Sequence, residues 1–339
     1  MLDQIFQQCQ QIFPEWGALS PDDFSFDDPK GFSSFTMGIR TDKQVEPQAI
    51  LYRRLEGKEN AILDFETEKQ VFLLLGENHI AAHCYHYDQT CRIEAFYDGR
   101  TLNATDLFDP ENLRKIADQL YQFHQLTPPN LPGGTFFELL FAQWGQEARY
   151  VLEERVTDFP PNEQILCEKL REIYATQTLA KVLRCLPQGE PVFCHNDTYH
   201  GNIMQLTNGD IKLLDFEFSC RNHKAFDFSN LFAETVMQHK LPDYPHFRIA
   251  EPAFSDHEIG MLIDFYLDNH DFESEADRHQ EFLQLLQDTH NMLMLSDYMY
   301  AMAALPLALE PIQKIPFIPY AYARFTKFLS AYDQRFDVQ

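Results

Sequence analysis

Basic side chains are scarce in this chain of 339 residues: 27 Lys and Arg stand against 52 Asp and Glu, a formal charge of −25. Duplex nucleic acids and anionic membrane surfaces are bound through a cationic face, so both partner classes are excluded. A small cationic substrate is compatible with that charge, although solubility explains it equally well. The seven cysteines are odd in number and scattered from Cys9 to Cys220 with no CxxC pair. That excludes a disulfide framework and fits the reduced thiols of a cytoplasmic protein. Residues 1–13 lack a basic region followed by an apolar run, so they do not read as a signal peptide. Long apolar runs are missing too: the longest stretch, 292–309, is broken by Asp297 and Pro306, and no membrane insertion is expected. What the chain has in quantity is core material, 45% hydrophobic with 30 Phe and 15 Tyr. That suffices for one two-lobed domain or two domains.

The first hundred residues alternate short apolar runs with turn residues. Segments 32–39, 49–54 and 91–96 read as strands, and 63–75 as a helix with Phe65, Val71, Phe72 and Leu75 on or near one face. The pattern then changes. Asp109 suits an N-cap and Pro110 a first helical position, and Leu113, Ile116, Ala117, Leu120 and Phe123 recur at helical spacing. Segments 136–156 and 163–186 read as helices, as does most of the chain from 256 on, with an interruption at 306–319. Within this helical half, 191–194 reads as a short buried strand. Segments 202–206 and 211–218 read as a hairpin around Asn208-Gly209, the strongest short hairpin signal. A two-residue turn there pairs 206 with 211, 204 with 213 and 202 with 215. Asn202 then faces Asp215 with Cβ atoms ~5 Å apart, and an amide oxygen beside a carboxylate can seat a hard divalent cation.

The same region carries the chemistry. Cys194-His195-Asn196-Asp197-Thr198-Tyr199-His200-Gly201-Asn202 contains His-x-Asp and, four residues on, Asn, with Asp215 thirteen residues later in Leu-Leu-Asp-Phe-Glu-Phe. Phosphoryl transfer from ATP needs a carboxylate to take the hydroxyl proton and oxygen ligands to hold Mg²⁺ on the phosphates, and these residues supply both in the order kinases use. Two other groupings carry less. His79, His83, His86, Cys84 and Cys91 are zinc-type ligands, but a strand over 81–87 scatters them across two faces. Cys194 precedes His195 on an apolar strand and reads as a buried thiol.

His195-Asn-Asp-Thr-Tyr-His-Gly-Asn-Ile, Leu213-Leu-Asp-Phe-Glu-Phe-Ser, Ala225-Phe-Asp-Phe-Ser-Asn-Leu-Phe-Ala-Glu234 and Tyr320-Ala-Tyr-Ala-Arg-Phe together resemble the choline/ethanolamine kinase family, part of the wider aminoglycoside-phosphotransferase-like group. The resemblance spans roughly residues 30–330, densest over 190–235. It implies an α+β, protein-kinase-like fold: a small antiparallel-sheet, nucleotide-binding N-lobe over 1–97, a hinge near 94–99, and a mainly helical C-lobe over 98–339. It also implies Asp197 as catalytic base with His195 ordering its loop, Asn202 and Asp215 as Mg²⁺ ligands, and Asp227 as an anchor of the loop. Glu217, two residues past Asp215, would either support the metal ligands from behind or order the neighbouring loop. In the N-lobe, Arg53 (or its neighbour Arg54) would contact ATP phosphates and pair with Glu68. Glu94 and Phe96 fall at the adenine hinge. Gly31, Ser33 and Ser34 fall in the phosphate loop, of whose family pattern only Gly31 and Ser33 survive. The acceptor would be a small amino alcohol, choline or ethanolamine, phosphorylated for phospholipid head-group synthesis. Glu234, Phe218, Tyr300 and Tyr320 would form its cage. Tyr300 and Ala303 stand where the family carries tryptophans. Two alternatives stay open: a kinase of another alcohol, an aminoglycoside or sugar, on the same fold, and a catalytically dead nucleotide-binding scaffold. Nothing in the sequence speaks to oligomeric state.

Overall fold

Side chains of alternating burial build the first lobe. In 49–54, Ile50 and Tyr52 are buried on one face while Leu51 and Arg53 stand half-buried on the other. The computed structural model describes residues 2–27, 35–55, 62–175, 178–239, 241–252, 254–310 and 315–336. Helix α1 (Leu2–Ile12) precedes strands β1 (Phe24–Phe26), β2 (Thr36–Thr41) and β3 (Ala49–Arg54). Helix α2 (Phe65–Glu77) and strands β4 (Cys84–Tyr87) and β5 (Cys91–Ala95) follow. The strands form one antiparallel sheet in the order β1-β2-β3-β5-β4. Its outer face is covered by α1 and Trp16, which with Phe6, Phe24, Ile39, Ile50 and Ile93 make a separate small core. Its inner face carries Leu51, Arg53, Arg92 and Glu94 toward α2 and the cleft. Asp64 starts α2 by accepting from the Thr67 N–H at 2.9 Å, and Val71, Phe72 and Leu75 tie the helix into the main core.

The chain leaves this sheet after Ala95 and enters another at once: β6 (Gly99–Thr101) pairs with β8 (Ile203–Leu206). Gly99 permits the approach, since a Cβ there would lie 2.3 Å from the Gln205 carbonyl oxygen. The second lobe continues with α3 (Pro110–His124), capped by Asp109 with Pro110 in the first turn, then α4 (Phe136–Glu154), α5 (Pro161–Ala175) and α6 (Thr178–Cys185). Strands β7 (Val192–Cys194), β8, β9 (Ile211–Leu213) and β10 (Cys220–Asn222) carry the loops of interest, and α7 (Lys224–Ala233) follows them. The small pair β11 (Met237–His239) and β12 (Phe247–Ile249) leads to α8 (Asp256–Leu267), α9 (Glu275–Leu307) and α10 (Phe317–Phe336). Helices α7, α4 and α10 pack around the long α9. Among the described residues no helix is long and apolar enough to cross a membrane.

Three expectations change here. The helix expected over 163–186 is two, α5 and α6. The interruption expected at 306–319 is shorter: Pro306 lies inside the last turn of α9, and Pro319 falls in the first turn of α10, a turn whose N–H groups have no intrahelical partner to lose. The hairpin is shifted by one residue. Leu206 N–H donates to the Asp210 carbonyl and Gly209 N–H to the Leu206 carbonyl, both at 2.8 Å, closing a three-residue loop with Gly209 at φ +88°. The pairs are therefore Gln205 with Ile211, Met204 with Lys212 and Ile203 with Leu213. Asn202 meets Leu214, whose N–H donates to its carbonyl at 2.8 Å, and does not face Asp215.

Candidate active site

A single buried carboxylate organises the loop that carries Asp197. Asp227, in the first turn of α7, accepts from the His195 N–H at 2.9 Å, the Asn196 N–H at 2.7 Å and His124 Nε2 at 3.0 Å. Burial pushes its acidity down, but these donors outweigh it and hold the carboxyl below the ordinary range. Asn196 sits at φ +66°, a left-handed conformation that costs a non-glycine residue about 1–2 kcal/mol. Its side chain offsets that cost. Nδ2 donates to the Phe218 carbonyl at 2.9 Å, and Oδ1 accepts from Asn222 at 2.7 Å. His195 is fully buried. Nε2–H donates to the Leu214 carbonyl at 2.9 Å, and Nδ1 accepts from the Asp197 N–H at 3.2 Å. Burial lowers its pKa, consistent with this neutral tautomer. The ring thus ties the loop to the segment entering Asp215, and both its nitrogens are committed to backbone.

Asp197 projects from that loop, buried. Oδ2 accepts from Asn202 Nδ2 at 2.7 Å and Oδ1 from the Tyr300 hydroxyl at 2.5 Å. Burial drives its pKa well up; the Tyr300 hydrogen bond opposes this, while Asp215, Glu217 and Glu234 add to it. Asp215 reaches the same site through its own φ of +63°, which turns the chain out of the β9 direction, and its Oδ1 lies 3.5 Å from Arg53 Nη1. With its nitrogen committed to Asp197, Asn202 turns its Oδ1 to a different side. That oxygen and the Asp215 carboxylate are hard donors beside a surplus of negative charge, a set that fits a small divalent cation.

Arg53 lines a cleft of about 250 Å³ between the lobes, with Leu51, Phe72, Glu94, Phe96 and Asp215 also on its wall. Its Nε is buried with no hydrogen-bond partner among the described residues, a donor that a phosphate oxygen would satisfy. The expected pairing with Glu68 is not what forms. Arg92, directly across from Arg53 in the β3–β5 register, takes that place: its Nη1 is 4.0 Å from Glu68, and its Nε donates to Glu94 at 2.8 Å. Its guanidinium lies 3.7 Å over the Phe72 ring. The Glu94 side chain is therefore spoken for within the protein, while Phe96 lies under the Arg40 guanidinium at 4.8 Å. Gly31, Ser33 and Ser34 lie outside the described residues.

The expected acceptor cage is rearranged. Phe218 turns its ring to Trp144 and Phe136, at 5.6 and 6.2 Å, and makes no ring contact with Tyr300 or Tyr320. Glu234 is not an open carboxylate: Arg324 Nη1 and Nη2 lie 2.8 and 2.9 Å from its two oxygens, and Ser296 donates to it at 3.0 Å. Arg324 also donates to Asp297 at 2.9 Å and to the Tyr320 hydroxyl at 2.8 Å, with its guanidinium over the rings of Tyr300 and Tyr320 at 4.9 and 5.1 Å. Neither Arg324 nor Asp297 was among the expected site residues. The signals were present: Tyr320 and Arg324 have i, i+4 spacing, and Asp297 interrupts the longest apolar run. Tyr199 is a further omission. Its ring packs on Gly201, where a Cβ would come within 2.4 Å. Burial, then Asp197, Asp215 and Glu234, push its phenol up. A larger groove of about 820 Å³ lies behind Asp297 and Lys327 and contains none of Asp197, Asn202 or Asp215.

Known proteins share this sequence pattern and this fold. The choline/ethanolamine kinase family profile matches residues 30–329. A human choline/ethanolamine kinase is 26% identical over 296 residues, covering 83% of this chain and 71% of the relative. Among solved structures, a choline kinase from Cryptosporidium parvum superposes with a TM-score of 0.76 at 19% identity, covering 99% of this chain and 96% of the other. An ethanolamine kinase from Plasmodium vivax gives 0.70 at 20% identity, with 96% and 88% covered. With a protein-kinase-like fold and a family match over most of its length, the chain belongs to the choline/ethanolamine kinase family.

Proposed function

We propose that the protein transfers the γ-phosphoryl group of ATP to the hydroxyl of choline or ethanolamine, and that Asp197 is the base. One observation carries this: a buried carboxylate whose Oδ1 already accepts a hydroxyl hydrogen at 2.5 Å, beside Asn202 and Asp215 and across the cleft from Arg53. In that position Asp197 orients the acceptor hydroxyl and takes its proton, while Arg53 holds a phosphate through its unpartnered Nε. Asn202 Oδ1 and the Asp215 carboxylate would hold Mg²⁺, which when bound neutralises charge on the transferring phosphate. Asp227 and His195 fix the loop so that Asp197 needs no reorganisation at the moment of reaction. The product is the phosphomonoester of the amino alcohol, a precursor of phospholipid head groups. Seven free thiols support a cytoplasmic setting.

The test is Mg²⁺-dependent ATP consumption across choline, ethanolamine and their N-methyl intermediates, with the product identified by mass. Asp197→Asn should keep nucleotide binding and lose about 10²–10⁴-fold in turnover. Turnover that survives the substitution removes Asp197 from the mechanism.

A further inference from the structure

Both carboxylate oxygens of Asp197 already accept a hydrogen bond from another side chain. Asn202 Nδ2 holds Oδ2 at 2.7 Å, and the Tyr300 hydroxyl donates to Oδ1 at 2.5 Å. An alcohol that is to lose its proton to Asp197 must donate its own hydroxyl hydrogen to one of those oxygens. Asn202 is held in place from a second side, its Nδ2 also donating to the Asp197 carbonyl at 3.0 Å and its carbonyl accepting from Leu214. Each oxygen keeps a second lone pair, but the Asp197 side chain is buried, so an incoming hydroxyl reaches it by taking the place of a donor already there. Asn202 is tied, and the Tyr300 phenol on Oδ1 is the donor that can turn away.

Tyr300 is presented there by a rigid floor. Three residues earlier on α9, Asp297 is pinned by Arg324 and Lys327 at 2.9 and 2.7 Å, and the Arg324 guanidinium covers the Tyr300 ring. The phenol hydroxyl reproduces the one interaction that a substrate hydroxyl must make. We propose that Tyr300 is a positioning residue that caps the base: in the acceptor-free enzyme its hydroxyl holds Asp197 Oδ1 against water, and it yields to the acceptor hydroxyl. Water brings no other contact with which to displace it. An amino alcohol brings the binding energy of its ammonium end, so displacement separates the right nucleophile from the ubiquitous wrong one. The exchange also weakens apparent acceptor affinity, because only the uncapped fraction binds.

This rests on the phosphotransfer reading above, and the experiment separates the two. Wild type and Tyr300→Phe are compared with MgATP, first without acceptor and then across an acceptor titration. The cap predicts that acceptor-free ATP hydrolysis rises about tenfold in the variant, the equilibrium worth of one charge-assisted hydrogen bond. It also predicts that the acceptor KM falls by a similar factor, more than kcat changes. Tyr300→Leu, which removes the ring as well, should show the same gain in hydrolysis if the hydroxyl is what matters. Equal hydrolysis in wild type and both variants, or an acceptor KM that rises in Tyr300→Phe, overturns the cap and leaves Tyr300 a wall of the pocket. Should the wild type turn over no amino alcohol, the acceptor reading fails, while the hydrolysis comparison still decides the cap.

Discussion

Each lobe buries an arginine between two carboxylates and two aromatic rings, and the two clusters are held very differently. In the first lobe, Arg92 lies over Phe72 and Tyr87 and donates to Glu94 at 2.8 Å, but Glu68 of α2 stands off at 4.0 Å. In the second, Arg324 is fully buried and all three of its nitrogens are engaged, with Glu234, Asp297 and the Tyr320 hydroxyl at 2.8–3.1 Å. Charge also balances differently. Lys327 completes two cations against two acids around Asp297, whereas Arg92 alone faces Glu68 and Glu94, with Arg53 beside it in the sheet. At the Arg92 cluster α2 is joined to the sheet by Coulomb attraction and apolar packing, which tolerate a small displacement. A hydrogen-bonded fork does not. The floor beneath Asp197 is locked, and the wall beside Arg53 has slack.

Removing each guanidinium sharpens the contrast. Arg324→Met strands Glu234 in the core, leaves Asp297 with Lys327 alone, and should lower the unfolding free energy by about 3–5 kcal/mol, read from urea denaturation. It should also raise the acceptor KM, because Tyr300 and Tyr320 lose the group that stacks between them. Arg92→Met loses one hydrogen-bonded ion pair and a looser one, so its expected loss is smaller, about 1.5–3 kcal/mol. If Arg92→Met proves as damaging as Arg324→Met, the distinction between a locked floor and a slack wall is wrong.

Much of the site was legible because its signals are local. His195, Asp197, Asn202 and Asp215 lie within 21 residues and in one order, and short-range spacing survives any error about distant packing. The hairpin shows where even local reading slips. Asn208-Gly209 marks the turn, but Gly209 takes the left-handed position of a three-residue loop, shifting every pair by one. Asp215 arrives beside the others through its own positive φ, which no alternation pattern encodes. The partner of Glu68 is hidden from the sequence for a different reason. Arg53 and Arg92 are 39 residues apart and become neighbours only when β3 meets β5, so the competition for Glu68 is a tertiary fact. Arg324 is of the same kind: its spacing to Tyr320 was visible, but Glu234 and Asp297 come to it from two other helical segments.

The smallest expected effect is the pH response of the second lobe. Burial lowers the pKa of His195, His200, His223 and His270, all in the second lobe. Above the ordinary value of about 6.5 neither the folded nor the unfolded chain protonates them, and they contribute no pH dependence. As pH falls below that value, the unfolded chain takes up protons that the folded chain refuses, so stability declines until the lowered folded pKa is passed. Melting temperature should therefore drop from pH 7 toward 5.5. His195→Gln, an uncharged donor and acceptor, should make the drop shallower. A slope unchanged by His195→Gln would mean that the imidazole between Leu214 and Asp197 is not held neutral, and the loop would then owe its order to Asp227 alone.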